Sequence, residues 1–193
     1  MKEESVSVKQ GKKALFYLIV QYQTDKIEAE RTIQMGNGNR GNTMIIKNGL
    51  VFTPEGKFEK KDFYIEGEYV AKETTDNKEV EAEGCYVIPG LVDIHFHGCV
   101  RHDMCDGTEE SIQALADYEA ANGVLAICPA TMTIPEEELF QAMNAAREHK
   151  NGKGADLVGI NMEGPFVNKE KKGAQKEEDI KLADVELFHK LQE

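Results

Sequence analysis

The sequence feature that most constrains the fold is a change of pattern after Pro89, where short apolar runs begin to alternate with helical segments. The apolar runs are "LVDIHFHG", "VLAICPAT" and "DLVGINMEGPF". Helical patterns over residues 108–122 and 135–149 separate them, and a third helix is predicted near 183–192. This order is typical of right-handed crossover units on a parallel sheet, so it predicts an α/β fold.

Both central helices have start signals in the sequence. Thr108 stands three residues before Ser111 and is followed at once by Glu109 and Glu110, an arrangement that suits an N-cap and the helix dipole. Pro135, followed by three glutamates, is predicted to begin the second helix because a proline lacks the N–H that a first turn leaves unused.

Residues 44–88 have the sequence of a small β layer. Three strand-like pieces occur there, "MIIKNGLVFT", "KDFYIEGEYVAKE" and "CYVIPG", and Gly49, Gly56 and Gly67 interrupt them. Short strands separated by glycine predict hairpins.

Residues 1–43 are predicted to be an N-terminal extension or linker that the fold does not require. They end in "MGNGNRGNT", a linker-like composition. The run "ALFYLIV" at residues 14–20 is predicted to be a buried strand or part of an extension, because it is far shorter than the ~20 residues that span a bilayer. The spacing Gly36-x-Gly38-x-x-Gly41 resembles a dinucleotide fingerprint, but it lacks the strand before and the helix after that such a site needs.

Charge and cysteine content limit the function classes. The net charge is −12, from 35 acidic and 23 basic residues, which argues against nucleic-acid binding because that function needs a basic surface. No membrane anchor is predicted. The four cysteines lack the paired spacing of a zinc site, so we expect reduced thiols in a cytoplasmic protein.

The stretch "VDIHFHG" places two histidines two residues apart. In a strand, Asp93, His95 and His97 would share one face, and two imidazoles on one face can reach a common ion at about 2.0–2.1 Å. A pair of surface histidines, or a core histidine satisfied by a carboxylate, would explain the same pattern.

The third apolar run ends in polar residues as well. Gly159, Asn161 and Glu163 alternate along it, and Gly164-Pro165 then stops the strand. In parallel α/β folds, active sites lie at the carboxyl ends of the strands. A carboxylate there, beside two histidines at the end of the first strand, predicts a metal site.

Three stretches, "VIPGLVDIHFHG", "AICPATMT" and "NMEGPFVNKEKKGAQ", together resemble the N-acetylglucosamine-6-phosphate deacetylases of the amidohydrolase superfamily. The similarity runs from about Met44 to the C-terminus. The H-x-H motif belongs to the whole superfamily, whereas "EGPF" followed by "KGAQ" is much more specific to the deacetylases. Arg101 stands where a glycine is common in the family.

The resemblance implies a small β-sandwich domain attached to a metal-bearing (β/α)8 barrel. Residues 44–88 are then strands of the sandwich, and residues 89–193 are the first three βα units of a partial TIM-type barrel. A complete barrel of this kind needs ~250 residues. The chain would therefore correspond to the N-terminal half of such an enzyme.

The resemblance also implies site residues and partners. His95 and His97 would be ligands of one divalent metal ion, and Glu163 a ligand that is shared with a second ion or belongs to it. Retention of both histidines favours two ions, of zinc, iron or manganese. Ala174 and Gln175 would contact the substrate, a small amino-sugar phosphate, and full-length members of the family are expected to be homodimers.

The implied reaction is the deacetylation of N-acetylglucosamine 6-phosphate to glucosamine 6-phosphate and acetate. In the family, an aspartate at the end of a later strand protonates the departing amine, and that residue is expected beyond residue 193. The chain alone is therefore expected to be inactive. The alternatives are a non-catalytic remnant, a half that needs a complementing chain, and an amidohydrolase that acts on cyclic amides.

Overall fold

The structure, a computed structural model, describes residues 17–21, 43–66, 69–73 and 78–193. These residues form two compact units, one that ends at Pro89 and one that begins at Gly90. The glycine fingerprint at residues 36–41, the linker-like stretch before Thr43 and Gly67 lie outside the described residues.

The first unit is a mixed β-sheet. Its described strands are β1 (Tyr17–Gln21), β2 (Met44–Phe52), β3 (Phe58–Glu66), β4 (Tyr69–Ala71), β5 (Glu79–Glu81) and β6 (Cys85–Pro89). They are hydrogen-bonded in the order β1-β6-β2-β3-β4, and β5 pairs with β2. The predicted hairpin is present, since β2 and β3 pair antiparallel, but β2 also pairs parallel with β5 and with β6.

The strand β1 lies within the segment predicted to be an extension or linker. It pairs antiparallel with β6 along its whole length, from Tyr17 opposite Pro89 to Gln21 opposite Cys85. Residues 17–20 of "ALFYLIV" are therefore strand, and residues 14–16 lie outside the described residues.

Strand β2 is interrupted by a bulge that a carboxylate holds in place. Asn48 adopts φ 60°, a left-handed conformation that asparagine tolerates better than most residues. Its backbone N–H donates to Asp62 Oδ1 at 3.0 Å, and Lys47 Nζ contacts Asp62 Oδ2 at 2.6 Å. The hydrogen bond from Lys47 lowers the pKa of Asp62, with a further contribution from the Asn48 N–H.

The second unit alternates strands and helices. In chain order it contains β7 (Leu91–Asp93), β8 (Gly98–Cys99), β9 (His102–Asp103), α1 (Glu109–Ala121), β10 (Val124–Ile127), β11 (Ala130–Thr131), α2 (Glu136–Glu148), β12 (Asp156–Leu157), β13 (Asn161–Met162) and α3 (Val185–Gln192). Single 3-10 turns lie at Met104–Asp106, Lys169–Lys171 and Glu177–Asp179.

The parallel topology predicted from the sequence is confirmed. Strands β12, β10 and β7 form a parallel sheet in that order, and β11 pairs parallel with β13. Each predicted apolar run is shorter as regular strand than expected. The first ends at Asp93, because the Asp93 side chain accepts the backbone N–H of His95 at 2.9 Å and turns the chain.

The helices agree with the sequence to within two residues at each end. Thr108 caps α1, with its side chain accepting the N–H of Ser111. Pro135 occupies the N-cap position of α2 and not the first helical position, so its extended ψ of 144° precedes the first turn. Helices α1 and α2 pack with β10 around residues that include Ile112, Leu115 and Ile127.

Between β8 and β9, Val100 and Arg101 form a two-residue turn with φ values of 46° and 69°. Two left-handed residues match the twist of the flanking strands, and glycine adopts this conformation with least strain. A glycine at position 101 would relieve the strain that Arg101 has there.

Candidate metal centre

Three side chains converge at the carboxyl ends of the parallel strands. His95 Nε2 and His97 Nε2 each lie 3.2 Å from the same oxygen, Oε2 of Glu163. The candidate ligand atoms all lie within 4.8 Å of one another, and this is the one such group found among residues 17–21, 43–66, 69–73 and 78–193. The predicted convergence is therefore present, although residues 94–97 are not regular strand.

The two imidazole rings are held by different partners. His97 Nδ1 lies 3.2 Å from the carbonyl oxygen of Ala130 in β11, which can only accept, so Nδ1 is the donor in this contact. In a neutral ring with this tautomer, Nε2 has the unshared pair and faces Glu163. Holding one ring nitrogen through a carbonyl is how proteins commonly orient a metal-binding histidine.

His95 is held by the side chain of Asn161. Asn161 Nδ2 lies 3.0 Å from the Ile94 carbonyl oxygen and 3.1 Å from His95 Nδ1, and its two hydrogens serve both contacts. In this arrangement His95 Nδ1 accepts, and its Nε2 donates to Glu163 Oε2. Metal binding through Nε2 would displace that proton, as it generally does for protein ligands.

The carboxylate of Glu163 is held on its other side. Gln175 Nε2 donates to Glu163 Oε1 at 2.9 Å, which leaves Oε2 facing the histidines. Gly164 follows with φ 104°, and a Cβ at that position would lie 2.2 Å from Thr133 Oγ1. The backbone after Glu163 therefore passes close to the segment that follows β11, where only glycine fits.

These residues fit a divalent cation. His97 Nε2 and a carboxylate oxygen lie 3.2 Å apart, and two atoms with unshared pairs at this distance need a proton or a cation between them. Two imidazole nitrogens and one carboxylate oxygen form a donor set that zinc, iron and related ions accept. The side chains are between one third and one half exposed, so an ion and a small ligand can reach them.

The predicted substrate contacts Ala174 and Gln175, and other polar or reactive side chains of this unit, lie in different surroundings. Ala174 is exposed in a turn and Gln175 is buried with 4% exposure, so only Ala174 presents itself to solvent. His102 contacts Ser111, and Asp103 caps a 3-10 turn, so both have structural partners. Burial raises the pKa of the Cys105 thiol to about 11, which is the opposite of what a nucleophilic cysteine requires.

Several groups that surround the three side chains have no recognisable signal in the sequence. The alternation along the third apolar run predicts that Asn161 shares a face with Glu163. Its contact with His95 depends on how the segment after β7 lies against β13, which the alternation does not predict. The Ala130 carbonyl, which holds His97, and the Thr133 N–H, which donates to Gln175 Oε1, are backbone groups. Backbone groups leave no signal in a pattern of side chains.

The cluster lies in a chain with clear relatives. The chain is 34% identical over 155 residues to the N-acetylglucosamine-6-phosphate deacetylase of Bacillus subtilis, and the match covers 77% of this chain and 38% of the relative. The deacetylase of the same name from Lysinibacillus sphaericus is 26% identical over 157 residues, covering 78% of this chain and 41% of that protein. No protein-family model matches the chain.

Solved structures have the same fold. The crystal structure of N-acetylglucosamine-6-phosphate deacetylase from Pasteurella multocida superposes with a TM-score of 0.68 at 20% identity, covering 78% of this chain and 41% of that one. The chain thus spans about two fifths of the length of these relatives. By sequence and by fold, it is a homologue of the N-acetylglucosamine-6-phosphate deacetylases over about three quarters of its own length.

Proposed function

We propose that this chain takes part in the metal-dependent deacetylation of N-acetylglucosamine 6-phosphate to glucosamine 6-phosphate and acetate. The observation that carries the proposal is the convergence of His95, His97 and Glu163, in a chain homologous to enzymes named for that reaction. The same three residues stand at the motifs "HFH" and "EGPF", which the resemblance rests on.

His95, His97 and Glu163 are proposed to hold a divalent cation. A cation in such a site polarises an acyl oxygen and makes water nucleophilic near neutral pH. The chain's own residues fix the geometry: Ala130 and Asn161 orient the two rings, and the carboxylate of Glu163 supplies the negative charge that offsets a cation.

The exposed turn at Gly173 and Ala174 is proposed to contact the bound sugar through its backbone. It is close in sequence to Gln175, whose side chain contacts Glu163, so this loop lies near the metal centre. In the same proposal, residues 89–193 are the first three units of a (β/α)8 barrel and residues 44–88 belong to a β-sandwich.

The acid that protonates the departing amine is not assigned to any described residue. The titratable side chains at the centre are those proposed as ligands, and a ligand cannot also donate this proton. We therefore expect the 193-residue chain to bind metal without turning over the substrate, and activity to require the residues that the rest of a deacetylase supplies.

A chimera tests the proposal. Residues 44–193 replace the matching region of the Bacillus subtilis deacetylase, and acetate release from N-acetylglucosamine 6-phosphate is measured with and without a chelator. We expect chelator-sensitive activity that His95→Ala abolishes and Gln141→Ala, on the exposed face of α2, leaves unchanged.

A folded chimera that binds zinc but releases no acetate would favour a non-catalytic metal-binding chain. Hydrolysis of a cyclic amide such as dihydrouracil, in place of the amino sugar, would favour the other amidohydrolase alternative.

A further inference from the structure

We propose that Gln175 is a positioning residue for Glu163, and that its carboxamide, by holding Oε1, makes Oε2 the metal-ligating oxygen. This inference rests on the proposed function and assigns to Gln175 a role different from direct contact with the substrate. Two observations support it: Gln175 is buried, and its side-chain Oε1 and Nε2 atoms each have a hydrogen-bond partner, Thr133 and Glu163.

The backbone of Gln175 is fixed on both sides. Its N–H donates to the Lys172 carbonyl oxygen at 3.0 Å, and its own carbonyl oxygen accepts from Lys172 Nζ at 3.1 Å. With 4% of the residue exposed, the side chain extends into the protein interior and cannot follow a ligand outward.

The orientation of the amide is decided by a donor that has no alternative. Gln175 Oε1 accepts the backbone N–H of Thr133 at 2.5 Å, and a backbone nitrogen can only donate. Nε2 must therefore face the other way, where it donates to Glu163 Oε1 at 2.9 Å. The second Nε2 hydrogen faces Met132 Sδ at 3.6 Å, a weak acceptor that competes little with the carboxylate.

This arrangement restricts a side chain that would otherwise move. The Glu163 side chain is 37% exposed and follows the end of β13, so little packing fixes its carboxylate. With Oε1 held by a neutral donor, Oε2 points between His95 and His97 and the full negative charge is retained. A lysine in place of Gln175 would hold the oxygen equally well but would oppose a cation.

The link also joins two segments of the centre. Thr133 follows β11, whose Ala130 carbonyl orients His97, and Gln175 connects that segment to Glu163. Loss of the amide is therefore expected to loosen the carboxylate relative to the histidines, and groups in this position commonly change metal affinity by about 10–100-fold.

The test is a zinc titration of the whole 193-residue chain, in competition with a chelator of known affinity. Gln175→Met keeps the length and burial of the side chain but removes its N–H donor. Gln175→Asn keeps the amide but shortens the side chain by one methylene, so the amide cannot reach both Thr133 and Glu163. This variant replaces Gln175→Met in the test if Gln175→Met does not fold. Gln141→Met, on the exposed face of α2, is the matched control.

We expect about 10–100-fold weaker zinc binding for Gln175→Met and for Gln175→Asn, and a change within twofold for Gln141→Met. A double-mutant cycle with Glu163→Ala separates positioning from a general structural role. If Gln175 acts through Glu163, its substitution costs little further affinity once Glu163 is absent.

Wild-type affinity in folded Gln175→Met and Gln175→Asn would overturn the inference, and so would an equal loss in the presence and absence of Glu163. Either result leaves the proposed metal centre intact. Absence of zinc binding by the wild-type chain, or binding insensitive to His97→Ala, would instead contradict the metal centre and the inference with it.

Discussion

The Nε2 atom of His97 and the Oε2 atom of Glu163 lie 3.2 Å apart, and the Nδ1 atom of the same imidazole faces the carbonyl oxygen of Ala130. The two residues come from different βα segments. The Ala130 carbonyl in β11 holds His97, and β11 pairs parallel with β13, the strand that ends just before Glu163. The affinity of the candidate metal centre therefore depends on how these two segments are positioned.

Replacing Glu163 by glutamine should weaken zinc binding by more than about 100-fold, because the change removes the only negative charge among the three side chains. His102→Ala is the control, since His102 contacts Ser111 and not the cluster. Equal loss of zinc affinity in the two variants, measured by chelator competition, would contradict the ligand assignment. In the active chimera, the same ranking is expected for kcat/KM.

Gly164→Ala should destabilise the second unit by roughly 2–4 kcal/mol. A side chain at φ 104° is strained, and its Cβ would meet Thr133 Oγ1 at 2.2 Å. Gly56→Ala has a positive φ of 74° with nothing within 4 Å, so about 1 kcal/mol is expected there. Urea denaturation of both variants measures the difference, and equal losses would mean that the close approach to Thr133 is unimportant.

Arg101→Gly should stabilise the protein by about 0.5 kcal/mol. Glycine relieves the left-handed strain at φ 69°, and the greater freedom of the unfolded chain offsets part of that gain. Arg101→Ala retains the strain while removing the guanidinium group, and should not stabilise. A gain in both variants would point to the charge of Arg101 and not to its backbone.

Asp62→Asn should lower the thermal stability of the first unit at pH 7. Because Lys47 depresses the pKa of Asp62, the ionised carboxylate contributes stability above its unfolded pKa, and this contribution is lost as pH falls through the folded value. The difference in Tm between variant and wild type should therefore vanish in strong acid. Glu83→Gln removes the exposed ion pair with Lys60 and should change Tm little; a pH-independent effect of Asp62→Asn would contradict the linkage.

A chain that begins at Met44 should be less stable and more prone to aggregation than the full one. The sequence alone led us to expect that residues 1–43 are dispensable, but β1 pairs with all of β6. Its removal exposes the unpaired backbone of β6, and open strand edges promote association. Thermal melting and light scattering of the two chains test this. Identical Tm and scattering would show that residues 1–43 are dispensable.

The sequence by itself determined the local elements of this protein. Apolar periodicity located the strands and helices after Pro89, and Thr108 and the glutamates after it marked the start of α1, because propensity and capping act within a few residues. The motifs "HFH" and "EGPF" named the three side chains of the candidate metal centre.

Only the tertiary structure decided how those side chains are held. Asp93 ends its strand through a side-chain contact, so the convergence of His95 and His97 does not depend on the alternation of a regular strand. The burial of Gln175 against Glu163 and the pairing of β1 with β6 join segments far apart in the chain. Such contacts depend on where folding brings the backbone, and a pattern confined to neighbouring residues carries no information about that.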